Sequence, residues 1–172
     1  AVEDAGDPRD AIAGDALAQG ADDGNSTRDR RFETKLLALS QRWPRATWGS
    51  RLARALHLAF RLREMAAESA GRLTLIETRR DLEAYLARRS TDPSITAAFL
   101  SVEGAQALDG DVASIDILAA AGFRMIAPSH LLDTVYGGSA HGAVKGGLSE
   151  VGRELLSRTE SAGVLVDLAH AS

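Results

Sequence analysis

The sequence predicts an α/β protein assembled from parallel β-α units, and three observations carry that prediction. Short apolar runs without polar alternation, such as "ITAAFLSV" (95–102), read as strands covered on both faces. Between them lie stretches whose apolar residues recur every three or four positions, the period of an amphipathic helix. The two kinds of stretch alternate from residue 72 onward, which is the order of β-α units and not of hairpins.

The elements follow from the N-terminus. Residues 1–27 hold seven acidic side chains, one base (Arg9) and no aromatic. A segment so rich in Ala, Gly and Asp buries too little apolar surface to offset its ordering entropy. It is therefore expected to be an acidic, mobile lead-in, with 28–172 as the folded part. A helix is expected around Glu33–Gln41, and Pro44 separates it from a longer one. Thr47 is the expected N-cap of that longer helix, whose stripe is Leu52, Ala55, Leu56, Ala59, Phe60 and Leu62. His57 lies on it with no acidic or histidine partner one turn away, so it reads as a packing or surface residue, not a ligand.

From residue 72 the alternation begins. "RLTLIE" (72–77) is a strand, and "TRRDLEAYLARR" (78–89) is a helix with Thr78 and Asp81 spaced as a capping box. "ITAAFLSVE" (95–103) is a strand. "DVASIDILAAAG" (111–122) is a helix that turns Val112, Ile115 and Leu118 inward and ends at Gly122. "FRMIAPSH" (123–130) is a strand, followed by a glycine-rich loop over 131–147. "LSEVGRELLSRTESAG" (148–163) is a helix with Leu148, Val151, Leu155 and Leu156 on one face. "VLVDLAH" (164–170) is the last strand.

Bulk properties narrow the function. A chain of 172 residues, 45% of them hydrophobic, can build one core. A net charge of −4 gives no electrostatic case for nucleic acid as a partner. With no cysteine, any metal here rests on His, Asp and Glu. No apolar run approaches the roughly 20 residues that span a bilayer. The chain opens "AVEDAGDPRD", acidic where a secretory signal is basic. Localisation and membrane association are not legible. "GGSAHGAVKGG" (137–147) lacks the spacing of a phosphate loop, and no GxGxxG follows a strand, so no nucleotide site is expected.

The chemistry collects at strand ends. Three of the expected strands finish on Glu103, His130 and His170. In a parallel sheet all carboxyl ends open onto one face, and that face carries the ligand, so the three side chains should converge. Burying an unpaired carboxylate costs several kcal/mol, and a divalent cation bound also by imidazole would compensate Glu103. Taken singly, Glu103 is open between a ligand and a structural acid, and His130 between a site residue and a turn residue. His141, between glycines, reads as mobile, not as a ligand. Asp167 either points inward or supports a histidine.

Four blocks in order carry a closer likeness: "FLSVEGAQALDGD", "LAAAGFRMIAPSH", "GGSAHGAVKGGLSEVGREL" and "GVLVDLAHAS". Together they resemble the membrane (renal-type) dipeptidase family of zinc metallopeptidases, strongly over 95–172 and more loosely over 32–94. The resemblance implies a (β/α)8 TIM-type barrel of the metallo-dependent hydrolase kind, with two zinc ions at its carboxyl-terminal face. It implies that Glu103 bridges the zinc ions, that His170 binds one of them, and that His130 contacts the substrate and the tetrahedral intermediate. The implied substrate is a dipeptide, and the implied reaction is attack by a water made acidic between the metals. Relatives often dimerise, so a homodimer is possible.

The likeness has gaps. The family's His-x-Asp pair is absent, because none of His57, His130, His141 and His170 is followed two places on by Asp. Pro128 and Ser129 precede His130, and Thr134 stands where related sequences tend to have Asn. Glu103 and His170 alone cannot coordinate two zinc ions. The chain is therefore expected to be the central portion of such a barrel, inactive by itself. Two other readings are kept: a metal-dependent amidohydrolase acting on non-peptide amides, and a barrel relative without catalysis.

Overall fold

The computed structural model describes residues 38–172. The acidic lead-in expected over 1–27, and the part of the helix expected before residue 38, lie outside the described residues; residues 38–40 are helical.

A one-turn 3-10 helix, Arg45–Trp48, follows Pro44. Thr47 is buried within it and donates its hydroxyl to the Pro44 carbonyl at 2.7 Å, so it does not cap the long helix as expected. Ser50 does: its backbone is extended, and its Oγ accepts from the Ala53 amide at 2.9 Å. The helix it starts, α1, spans Arg51–Glu68. Ala59 is buried, and Leu52, Ala55, Leu56 and Leu62 pack on the core, as their period requires. Phe60, expected on the stripe, is 58% exposed at its flank.

Among the described residues five short strands form two sheets, every strand pairing parallel. Strand β1 (Leu73–Leu75) pairs with β2 (Thr96–Ala98). Strand β3 (Leu100–Val102) pairs with β4 (Phe123–Ile126), and β4 with β5 (Leu165–Val166). The single strand expected over 95–103 is thus two, parted at Phe99, with β1 hydrogen-bonded to its first half and β4 to its second. Within each sheet consecutive strands are neighbours, as is usual for parallel β-α units. Backbone bonds beyond the strands, Ala127 N to Val102 O and Asp167 N to Ile126 O, carry the pairing to the carboxyl ends of β3, β4 and β5.

Helix α2 (Arg79–Arg89) has the expected capping box between Thr78 and Asp81 and buries no residue. Helix α3 (Ser114–Ala120) turns Ile115 and Leu118 inward, with Val112 buried just before it. Gly122 follows α3 and Gly163 follows α4 (Glu150–Ser161), both with positive φ, as the sequence led one to expect. In α4 the inward face is Gly152, Leu155 and Thr159, and Val151, expected inward, is 44% exposed. The reason is close approach at Gly152, where a Cβ would lie 1.8 Å from the Tyr136 carbonyl oxygen. The core lies between α1, α3, α4 and the three-stranded sheet, filled by Leu100, Val102, Leu108, Ile115, Leu118, Phe123, Ile126 and Leu155. Among the described residues no helix is long and apolar enough to cross a membrane.

Candidate metal centre

The three strand-end residues do converge. Glu103 Oε1 lies 3.1 Å from His170 Nε2 and 3.4 Å from His130 Nε2. The two imidazoles meet edge to face with ring centroids 4.5 Å apart. One donor atom from each of the three lies within 4.8 Å of the others, a spacing that a single cation could bridge. Parallel pairing accounts for this. Each side chain follows its strand by one to four residues, and the strands end level on one rim.

Gly104 shapes the turn after β3. Its φ of +102 lies in the region open to glycine, and a Cβ there would come 2.3 Å from Gln106 Oε1. The chain can therefore turn at once into a short 3-10 helix, Ala105–Leu108, and leave Glu103 on the rim. The carboxylate was expected to be buried. Its side chain is instead 58% exposed, because the rim opens to solvent, and two imidazoles flank its Oε1. His170 is the more enclosed partner, and its Nδ1 is buried with no hydrogen-bond partner among the described residues. Asp167 does not reach that ring. Its Oδ1 accepts from the Ala169 amide at 2.9 Å and so shapes the turn that presents His170.

The glycine-rich loop, expected to be loose around His141, is tied down at several points. Asp133 accepts from the amides of Ser139 at 2.7 Å and Val144 at 2.8 Å. Burial pushes its carboxyl up, but the amides of Ser139, Val144, Lys145 and Ala143 outweigh that and hold it below the usual carboxylate range. The Ser139 hydroxyl donates to the His130 carbonyl, and the Ala140 amide donates to the His170 carbonyl at 2.8 Å. Ser129 is buried and donates to the Gly138 carbonyl at 3.0 Å. The loop thus joins the turns that carry both histidines, and it brings His141 to a ring-centroid distance of 5.7 Å from His170. Sequence reasoning missed Asp133 and Ser139. The available signal was an Asp before a Gly-Ser run, a common way for a carboxylate to gather loop amides. His57 sits against Trp43, ring centroids 5.5 Å apart, away from this cluster, as expected for a packing residue.

Three proteins are similar to this chain. A protein in the pqqA 5′ region of Klebsiella pneumoniae, described as uncharacterised, is 28% identical over 115 residues, covering 63% of this chain and 41% of that protein. The solved structure of the probable dipeptidase PvdM from Pseudomonas aeruginosa matches with a TM-score of 0.58 at 22% identity, over 66% of this chain and 29% of that one. An amidohydrolase from Pseudomonas aeruginosa matches with a TM-score of 0.56 at 15% identity, over 66% of this chain and 33% of that one. The chain thus spans about two fifths of the curated relative and about a third of the solved structures. The family model for membrane dipeptidase, peptidase family M19, matches residues 23–172. With that model covering most of its length, the chain belongs to the membrane dipeptidase family, peptidase family M19.

Proposed function

We propose that the intact gene product is a zinc-dependent dipeptidase whose metal centre includes Glu103 and His170, and whose parallel strands form part of a (β/α)8 barrel. The observation that supports it best is the cluster of Glu103, His130 and His170 at the carboxyl ends of β3, β4 and β5, in a chain of a dipeptidase family. The donor set fits. The carboxylate of Glu103 and the imidazole of His170, 3.1 Å apart, are donor types that suit zinc, and the exposure of Glu103 leaves a route in for the ion. Two zinc ions require more donors than the described residues bring together, so Glu103 and His170 are a share of the ligands.

A bound zinc supplies Lewis acidity and a water that ionises near pH 7. The rest is the work of the chain's own side chains. Glu103, on the open rim, would hold the metal through its carboxylate, and its contacts with both imidazoles orient that carboxylate. His170 is held by the Ala140 amide on its carbonyl and by the turn that Asp167 shapes. His130 stands beside both and donates from Nε2 to the carbonyl oxygen of the substrate as charge develops there. One well-placed donor of this kind contributes roughly 3 kcal/mol to lowering the barrier. No covalent nucleophile is required.

The amidohydrolase likeness favours a second substrate class, non-peptide amides, on the same metal chemistry. A panel of dipeptides and N-acyl amino acids, assayed with the intact gene product before and after chelation, separates the readings. Dipeptide cleavage lost on chelation and restored by zinc is expected. Cleavage indifferent to chelator refutes the metal mechanism, and cleavage of N-acyl amino acids alone moves the substrate to the second class.

A further inference from the structure

Two buried serines, Ser129 and Ser139, are bonded to the histidine turns, and the proposed steps use neither. A buried hydroxyl is costly unless its bonds are made, so a small apolar residue would fill either space at less risk. Ser139 Oγ donates to the His130 carbonyl and accepts from the His141 amide at 3.1 Å, which engages it as donor and as acceptor. Ser129 Oγ donates to the Gly138 carbonyl at 3.0 Å, with the His170 carbonyl further off at 3.5 Å. Two bonds therefore run in opposite directions between the same two dipeptides, Ser129-His130 and Gly138-Ser139. Such a pair opposes both sliding and twisting of one dipeptide against the other. The Ser139 amide is itself held by Asp133 Oδ1 at 2.7 Å.

We propose that Ser139 is a positioning residue for His130: its hydroxyl, with Ser129 returning the bond, sets where the His130 ring stands beside Glu103. The effect on rate rests on the hydrolase reading, and the effect on the ring does not. The reasoning is one of restraint. His130 lies beyond the end of β4, and Pro128 between them has no amide to donate, so the sheet does not hold it. His170 differs. Its carbonyl accepts from the backbone amide of Ala140 at 2.8 Å, a bond that survives removal of the Ser139 side chain. Loss of the Ser139 hydroxyl therefore loosens His130 and leaves His170 its own tie. The His130 Nε2, 3.4 Å from Glu103 Oε1, then loses its fixed place at the centre.

The first readout needs no hydrolysis. In a 1H–13C spectrum of the histidine-labelled chain, the His130 ring signal is identified by its loss in H130A. S139A is expected to shift or broaden that signal. T159V, which removes an equally buried hydroxyl bonded within α4, is expected to leave it in place. S129A, which removes the returning bond, should move the same signal, and it decides the matter if S139A does not fold. The second readout uses the intact gene product loaded with zinc. S139A should lower kcat for glycylglycine about 10–100-fold, the scale of a misplaced group that acts in the transition state, with KM and zinc affinity each within about twofold. S139C, which keeps the size and a weak donor, should recover part of the loss, and T159V should match the wild type. A His130 signal unmoved in both serine variants, or moved as far by T159V, overturns the positioning role. A loss of zinc affinity in S139A as large as its loss of kcat also overturns it, because the serine then acts on the whole centre and not on His130. No hydrolysis by the wild type, with the His130 signal still displaced in S139A, keeps the positioning role and overturns the hydrolase reading instead.

Discussion

Asp109 offers the sharpest test of how the site is fastened to the fold. It lies 59 positions from Ser50 in sequence and closes the amino end of α1. Its carboxylate accepts from the Ser50 hydroxyl at 2.6 Å, the Arg51 amide at 2.9 Å and the Leu52 amide at 3.2 Å. It also ends the 3-10 helix that begins just after Gly104, so it fastens the Glu103 turn to α1. Two contributions are lost when it is removed. A side-chain cap is worth about 1 kcal/mol, and a negative charge at a helix amino end about 0.3–1 kcal/mol. The carboxylate is exposed, so the low end applies, and D109A should cost about 1.3 kcal/mol. D109N keeps one acceptor oxygen and tolerates the left-handed backbone, φ 53, and should cost about 1 kcal/mol. For a chain of this size that corresponds to roughly 2–4 °C in Tm.

The pH dependence distinguishes this account from a mere packing defect. Burial pushes the Asp109 carboxyl up. The Ser50 hydroxyl, the amides of Arg51 and Leu52 and the Arg51 charge outweigh it, leaving the group below the usual carboxylate range. A carboxyl lowered in the folded state stabilises the fold above its unfolded pKa, about 4, and that stability is lost as pH falls through the folded value. Urea unfolding followed by far-UV circular dichroism should therefore show the D109N deficit at pH 7 and a smaller one at pH 3. The S50A and D109N costs should sum to more than the double variant loses, because they share one hydrogen bond. A deficit equal at both pH values, or none at pH 7, would refute the reasoning.

Two further outcomes follow from single contacts. G152A places a methyl 1.8 Å from the Tyr136 carbonyl oxygen, so α4 must shift away, and the urea midpoint should fall by an amount equivalent to about 1–3 kcal/mol despite alanine's better helix propensity. A midpoint unchanged or raised would show that the contact relaxes freely. E103Q removes the only anionic donor in the cluster while keeping its shape, and zinc affinity measured by competition with a chromophoric chelator should drop by at least the order of 10–100-fold that loss of a mere supporting partner costs. Equal affinities would remove Glu103 from the ligand set.

The alternation of elements was legible because it depends on local pattern. The capping box at Thr78, the glycine stops after α3 and α4, and the inward triplet Val112, Ile115 and Leu118 are each written within a few residues. The convergence of Glu103, His130 and His170 was legible for a different reason: parallel strands make equivalent ends meet whatever the sequence distance between them. What failed had a tertiary cause. Thr47 and Ser50 are both competent caps, and the choice fell to Ser50, whose hydroxyl also meets Asp109 from a distant part of the chain. Val151 gave way to Gly152 because the Tyr136 carbonyl needed the space. The break at Phe99 reflects partners on opposite sides of the two halves of one apolar run, which no periodicity records.

The loop over residues 131–147 changes what the cluster is. Three strand-end side chains on short turns could reorient independently, and a metal centre or a substrate would then have to order them on binding. Here Ser139 and Ala140 bond the carbonyls of the very residues that carry the imidazoles, while Asp133 gathers the amides around them. A shift at either histidine turn is thus opposed by the other through hydrogen bonds that do not involve the rings. The imidazoles are left free to meet a cation or a substrate, and their backbone is not. A composition rich in glycine is commonly read as freedom to move. In this loop the glycines let the chain fold closely on itself, with a Cβ at Gly138 lying 2.7 Å from the Gly146 amide nitrogen and one at Gly142 1.9 Å from Asp133 Oδ1, while Ser139 and Ala140 fasten it to the two histidine turns.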